Sequence, residues 1–129
     1  SLPSPTSDRC VLDTRATESL ITETGLTSRG IFVFSTEPGG DGATVYSRML
    51  GTDREDPATG SASGPLGCYL VRYGLVPPGQ PETIISLQGV KMGRPSRVHI
   101  RIAGTADTIT GVKVGGASVL VGDGRLTRI

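Results

Sequence analysis

Two adjacent carboxylates just before a predicted helix are the residues in this sequence best suited to chemistry. Glu55 and Asp56 lie on a turn stiffened by Pro57, and Gly60 and Ser61 follow where a helical pattern begins. The first backbone N–H groups of a helix lack intrahelical acceptors and carry partial positive charge. They can therefore bind a carboxylate or phosphate, and the absent side chain of Gly60 lets such an anion approach the backbone.

Asp56 is the candidate proton donor or shuttle of this arrangement. A bound anion disfavours the charged form of a neighbouring acid, which favours proton transfer by that acid. Thr59, Gly60 and Ser61 are the candidate substrate-binding residues. The pattern alone favours a structural alternative, in which Thr59 or Ser61 caps the helix and Glu55 or Asp56 complements its dipole, at about 1 kcal/mol of stability.

The composition excludes several other classes of function. The net charge is +1, Trp is absent and only 2 Phe and 3 Tyr occur, which argues against nucleic acid or an anionic membrane as a partner. No apolar run approaches the roughly 18 residues of a membrane span. Cys10 and Cys68 lack metal-ligand spacing, so we predict a cytoplasmic protein without a metal and leave a disulfide open.

Hydrophobic periodicity predicts a short helix over residues 13–24, with Ala16, Leu20 and Ile21 as its apolar stripe. It also predicts a second, central helix over about residues 61–73, enclosed on most sides. Pro65 suits this helix only if it lies in the first turn. About seven strands are predicted around it, namely residues 31–35, 43–50, 83–88, 97–103, 108–114, 117–121 and 125–129.

The run from Glu55 to Leu66, Glu-Asp-Pro-Ala-Thr-Gly-Ser-Ala-Ser-Gly-Pro-Leu, resembles the signature of the phenazine-biosynthesis-like (PhzF) family. The resemblance extends well over about residues 30–129 and loosely over the first 30. Further segments agree with the family in order and spacing, namely residues 47–49, 87–90, 93–96 and 112–116, with Gly124.

This resemblance implies an α+β, diaminopimelate-epimerase-like fold, with a mostly antiparallel, barrel-like sheet around the central helix and one short outer helix. Two such halves enclose the active site, and this chain resembles the C-terminal half. Residues 1–12 are predicted as a mobile lead-in and 13–129 as a single domain. The chain begins with Ser1 and has only Met49 and Met92 as methionines, so we expect it to be part of a longer protein.

The resemblance also implies a function. Family members are cofactor-independent isomerases or epimerases that shift a proton on a small carboxylic acid. Asp56 matches the acid that assists proton transfer, while Gly60 and Ser61 match the helix start that holds the substrate. The family's main acid-base glutamate and its Gly-His-Pro segment belong to the N-terminal half, and no Gly-His-Pro occurs here. The implied partners are therefore that half, as a separate chain or a lost fragment, and a second copy in a homodimer.

Two alternative functions remain open at this point, a stand-alone module that binds a small anion and an inactive structural subunit. The other reactive residue types carry little chemistry. His99 is predicted on the wet face of a strand, Cys68 is predicted as a small buried hydrophobe, and Arg48 and Arg94 are predicted as members of structural ion pairs.

Overall fold

The computed structural model describes residues 6–27, 30–37, 41–76 and 84–127. A one-turn 3-10 helix over Thr6–Arg9 precedes α1 (Thr14–Thr24), and α2 (Gly60–Arg72) follows the third strand. The strands are β1 (Gly30–Ser35), β2 (Val45–Gly51), β3 (Glu55–Asp56), β4 (Ile84–Gln88), β5 (Ser96–Gly104) and β6 (Ile109–Gly115). The predicted α+β class is confirmed. In the described ranges, neither helix has the length and apolar character needed to cross a membrane.

The strands form one curled sheet in the order β1-β2-β4-β5-β6, with β3 paired to β2 outside this path. The predicted strands over 31–35 and 43–50 form an antiparallel hairpin as β1 and β2, with a register from Gly30 opposite Gly51 to Ser35 opposite Tyr46. β2 and β4 are parallel, whereas the other pairs are antiparallel. A parallel pair needs a long connection between its strands, and α2 lies in that connection.

α1 agrees with its predicted bounds because both ends are capped. Asp13 Oδ1 accepts a hydrogen bond from the Ala16 N–H at 2.9 Å, and Gly25 ends the helix at a φ of +66°. Its apolar stripe is only partly covered, since Leu20 is 49% exposed. A gap of about 390 Å³ lies between this face and β1 and β2, so the stripe is not packed against the sheet.

α2 begins one residue before its predicted start and covers the core of the sheet. Leu66 and Leu70 pack on the inward side chains of β2, β4 and β5, namely Val45, Ile84, Val98, Ile100 and Ile102. The prediction that Pro65 lies in the first turn is wrong, because it is the sixth residue of the helix. Its missing N–H leaves the Ser61 carbonyl without an intrahelical donor, and both residues are exposed, so water can reach that carbonyl.

The prediction that α2 is enclosed on most sides is also wrong for the described residues. The helix packs on one face of the sheet, chiefly β5 and β6. Tyr69 and Tyr73 are 47% and 64% exposed, although the Tyr69 ring contacts Phe34 of β1 edge-on. The curled sheet is therefore half of a barrel with six strands rather than a closed wall of about seven.

The last described segment, residues 116–127, has no regular structure. The strand predicted over 117–121 is wrong, and so is the described part of the strand predicted over 125–129, whose last two residues lie outside the described residues. Four large apolar side chains in this segment are 83–101% exposed, namely Val119, Leu120, Val121 and Leu126. These residues favour β-structure, but no described strand pairs with them.

Arg48 connects the start of the described chain to the sheet, and its predicted role in an ion pair is confirmed. Its Nε and Nη2 donate to the two carboxylate oxygens of Glu55 at 3.0 and 2.9 Å. Its Nη1 donates to the carbonyls of Ser7 and Cys10 at 2.8 and 2.9 Å. The side chain is 8% exposed. Within the predicted lead-in of residues 1–12, residues 6–10 are therefore bound to β2.

We predict that Arg48→Met destabilises the fold by about 3–5 kcal/mol, because it leaves a partly buried carboxylate and several carbonyls without their donor. The matched control is Arg72→Met. Arg72 pairs with Asp107 at 3.4 Å, but both side chains are mostly exposed, and such pairs contribute about 0–1 kcal/mol. Urea unfolding of both variants measures the difference, and equal losses would contradict a structural role for the Arg48 cluster.

A second prediction concerns the distance between α2 and the sheet. A Cβ at Gly67 would lie 2.5 Å from Ile100 Cγ2 and 3.0 Å from Ile102 Cδ1. Gly67→Ala should therefore lower the free energy of unfolding by about 1–3 kcal/mol through overpacking, more than the gain of about 1 kcal/mol in helix propensity. Gly64→Ala is the control, since its Cβ would meet Val112 Cγ1 at an ordinary 3.4 Å. We expect Gly64→Ala to raise the thermal midpoint and Gly67→Ala to lower it.

Candidate active site

The Asp56 carboxylate has a fixed orientation at the end of β3. Its Oδ1 accepts from the backbone N–H of Ala58 at 3.2 Å, and its Oδ2 accepts from the Thr59 hydroxyl at 2.8 Å. The antiparallel pairing of Asp56 with Met49 fixes the backbone on which this side chain stands. Asp56 is half-buried, so solvent or a ligand can still reach the carboxylate.

Gln88, the last residue of β4, holds the turn that follows Asp56. Its Nε2 donates to the Asp56 carbonyl at 2.7 Å and to Thr59 Oγ1 at 2.9 Å. Its Oε1 accepts from the Thr59 N–H at 3.0 Å. The side chain is fully buried. Gln88 is not among the site residues predicted from the motif at residues 55–66. The only signal was its place next to Gly89 in a segment that agrees with the family.

The first N–H groups of α2 are available to a ligand. Within the described part of the chain, those of Gly60, Ser61 and Ala62 have no acceptor. Thr59 occupies the N-cap position but makes no capping hydrogen bond, because its hydroxyl donates to Asp56 instead. The structural alternative therefore predicts the N-cap position of Thr59 correctly, but the capping hydrogen bond that it implies is not made. In the described ranges, an added Cβ at Gly60 would have no atom within 4 Å beyond its own helix and chain neighbours.

An open cavity of about 780 Å³ lies at the side of the Asp56 turn. This volume is within the range of about 300–1,000 Å³ that is usual for small-molecule sites. Asp56 and Thr59 line it together with both methionines and Arg94. Gly60 instead lines a neighbouring depression of about 590 Å³ with His99 and Arg97. The structure thus brings Asp56 and Thr59 to one cavity and places Gly60 at the next, while Ser61 is exposed beside them.

The charged side chains near the main cavity differ in whether they have an ion-pair partner. The bidentate hydrogen bonds of Glu55 raise the pKa of Arg48 above its ordinary value, so this pair stays charged and internally neutral. Arg94 lines the cavity, and its guanidinium has no ion pair among the described residues. The prediction that Arg94 belongs to a structural ion pair is therefore wrong for that part of the chain. The Arg94 guanidinium is thus a cation at the cavity that Asp56 also lines.

The prediction for His99 is confirmed, and that of a buried Cys68 is confirmed only in part. His99 is exposed on β5, and Cys68 is half-buried against the core. Cys10 and Cys68 are free thiols, so they do not form the disulfide that the sequence left open. Groups of three or more His, Cys, Asp and Glu side chains that could hold a metal ion do not occur in the residues described.

Comparison with known proteins gives a consistent result. The family model described as phenazine biosynthesis-like protein matches residues 16–124. The chain is 47% identical over 72 residues to a trans-2,3-dihydro-3-hydroxyanthranilate isomerase of Pseudomonas fluorescens, which is 56% of this chain and 25% of the relative. It is 49% identical over 72 residues to the enzyme of that name from Pseudomonas chlororaphis, with the same coverage.

A more distant relative extends the similarity along the chain. An uncharacterized isomerase of Mesorhizobium japonicum is 32% identical over 98 residues, which is 74% of this chain and 32% of the relative. The chain thus matches a quarter to a third of the length of these relatives. The resemblance inferred from the motif at residues 55–66 is confirmed by a family model that covers most of the sequence. The chain belongs to the phenazine biosynthesis-like protein family.

Proposed function

We propose that this chain is the C-terminal half of a cofactor-independent isomerase that shifts a proton on a small carboxylic acid. One observation carries the proposal: the Asp56 carboxylate is oriented by two hydrogen bonds at the edge of an open cavity and next to unpaired helix N–H groups. An oriented acid beside an anion site suits general acid-base catalysis. The relatives are named as isomerases, which supports the reaction class.

The substrate carboxylate would bind to the N–H groups of Gly60 and Ser61. Gly60 lines the adjacent depression, whereas Arg94 provides a positively charged group at the cavity that Asp56 lines. Hydrogen bonds to charged groups contribute about 1.5–3 kcal/mol each. Thr59 was predicted as a substrate ligand. Its N–H, its hydroxyl proton and one acceptor position are already used by Gln88 and Asp56, which supports a main role in holding Asp56.

The second half of the active site would come from the N-terminal half of the family's diaminopimelate-epimerase-like fold. The exposed apolar side chains of residues 116–127 support this partner, because contiguous apolar surface in water is unfavourable unless another surface covers it. The open edge of the curled half-barrel supports it as well. The homodimer and the cytoplasmic location that the sequence suggested stay predictions.

A stand-alone module that binds a small anion is the second candidate. It is favoured by the unpaired N–H groups at the start of α2 and by Arg94, which suffice for binding without chemistry. Solvent deuterium separates the two candidates, since only an isomerase transfers label from D2O to substrate carbon. The test uses the two-half enzyme, which is this chain joined to the N-terminal half. A complete absence of deuterium in the substrate would favour the binding module.

We predict that Asp56→Asn lowers the turnover of the two-half enzyme by about 10²–10⁴-fold, the usual contribution of a positioned acid or base. The assay measures deuterium transfer from D2O to trans-2,3-dihydro-3-hydroxyanthranilate, the compound after which the relatives are named. Asp53→Asn is the matched control, because Asp53 lines the same cavity but is exposed and contacts neither Thr59 nor Gln88. Unchanged turnover in Asp56→Asn would remove Asp56 from the mechanism.

A separate prediction concerns the partner half. Val121 is 95% exposed, so Val121→Asp should leave the stability of the isolated chain within about 0.5 kcal/mol of the original. Its affinity for the N-terminal half, measured by titration calorimetry, should fall at least tenfold. Val11→Asp is the control, since Val11 is 88% exposed outside the segment. Equal affinity for both variants would show that residues 116–127 are not covered by this partner.

A further inference from the structure

We propose that Gln88 is the positioning residue for Asp56, in that its amide fixes both the backbone of the acidic turn and the direction of the Thr59 hydroxyl. This inference rests on the proposed role of Asp56 in proton transfer. Three hydrogen bonds of 2.7, 2.9 and 3.0 Å connect the Gln88 amide to Asp56 and Thr59. Gln88 is not among the residues that line the cavity, so it acts through Asp56 and Thr59, which do line it.

The orientation of the Gln88 amide is determined by its backbone partners. The Thr59 N–H is a donor and requires an oxygen, whereas the Asp56 carbonyl is an acceptor and requires an N–H. A flipped amide would place oxygen against oxygen and nitrogen against N–H. In this buried site, both backbone groups would then be left unsatisfied. Only one orientation of the side chain is therefore compatible with the turn.

This orientation also determines where the proton of the Thr59 hydroxyl points. Gln88 Nε2 donates to Thr59 Oγ1, so one acceptor position of the oxygen is occupied. The hydroxyl proton is then directed to its other close partner, Asp56 Oδ2, at 2.8 Å. Asp56 Oδ2 accordingly receives a hydrogen bond that depends on Gln88, although Gln88 itself donates only to the Asp56 carbonyl and to Thr59.

The rigidity of Gln88 comes from its place in the sheet. Its backbone pairs with Ser47 of β2 on one side and with Ser96 of β5 on the other. Gly89 follows with a φ of +76°, and a Cβ there would lie 3.0 Å from the Pro57 carbonyl oxygen. Glycine thus allows the end of β4 to approach the turn. The amide is held on a central strand, so its distance to Asp56 is fixed.

The test compares Gln88→Met with Asp56→Asn and with the double variant in the two-half enzyme. We expect Gln88→Met to lower kcat about 10- to 100-fold with little change in KM, because small misplacements of a reacting group cost about this much. In the Asp56→Asn background, Gln88→Met should lower kcat less than twofold further. An undiminished loss in that background would overturn the proposal, since Gln88 would then act independently of Asp56.

Two further variants keep the proposal testable if Gln88→Met does not fold. Thr59→Val removes the hydroxyl that links Gln88 to Asp56, and it should lower kcat in the same way, whereas Thr59→Ser should restore it. Ser86→Ala is the stability control, because Ser86 is fully buried on the same strand and bonds to Ser47 at 2.7 Å without reaching Asp56. A loss of kcat in Ser86→Ala equal to that in Gln88→Met would overturn the proposal.

Hydrogen exchange distinguishes failure of this inference from failure of the proposed function. The Thr59 N–H donates to Gln88 Oε1, so its exchange should accelerate at least tenfold in Gln88→Met and remain unchanged in Ser86→Ala. Slow exchange in Gln88→Met would contradict the positioning role, whatever the activity. Accelerated exchange together with full turnover in Asp56→Asn would leave the positioning intact and contradict only the proposed catalytic role of Asp56.

Discussion

The parallel pairing of β2 with β4 constrains everything that lies between them in the sequence. Val45 is opposite Ser86 and Ser47 is opposite Gln88, so the chain must return to the same end of the sheet before β4 begins. α2 makes this return across one face of the sheet, with Gly67 permitting its close approach to β5. The start of the helix is thereby brought beside β3 and the end of β4. The position of the candidate active site follows from this topology.

Polar groups near the site are divided between support and exposure. Arg48 and Glu55 neutralise each other with little access to solvent, and Gln88 with Thr59 satisfies the buried backbone of the turn. These four side chains bond mainly to one another and to nearby backbone. The groups left to bind a ligand are Asp56 and Arg94 at the cavity and the first N–H groups of α2. Asp56 and Glu55 are adjacent in sequence, but their carboxylates have different environments. Glu55 accepts from the charged Arg48 guanidinium, whereas Asp56 accepts from the neutral Thr59 hydroxyl.

Local signals predicted much of this arrangement. α1 and α2 were found within a residue or so because caps, glycines and 3.6-residue periodicity all act within one element. The alternation of Arg97, His99 and Arg101 with apolar residues is sufficient to predict β5, because a strand has one buried and one exposed face. Strand propensity failed over residues 117–121, since a strand needs a pairing partner and the sequence does not say which chain segment supplies one.

The candidate site was predictable in its residue types and unpredictable in its bonding. Asp56 and the helix start are recognisable from the motif at residues 55–66, but the role of Gln88 depends on a partner 29–32 residues away. The sequence predicts an ion pair for both Arg48 and Arg94, although Arg48 lies on a strand and Arg94 precedes Pro95 in a turn. Only the course of the chain around residues 6–10 places carbonyls beside Arg48, whereas Arg94 lies at the cavity without an ion pair in the described part.

The long sequence separation within the β2–β4 pair has a kinetic consequence. Local elements such as the β1–β2 hairpin and α2 can form early, because closing a short loop loses little chain entropy. The hydrogen bonds of Gln88 to Asp56 and Thr59 require the whole crossover to be closed first. Chains rich in such distant contacts fold more slowly than chains with local ones. The acidic turn should therefore acquire its final geometry late in folding, after the helix that follows it.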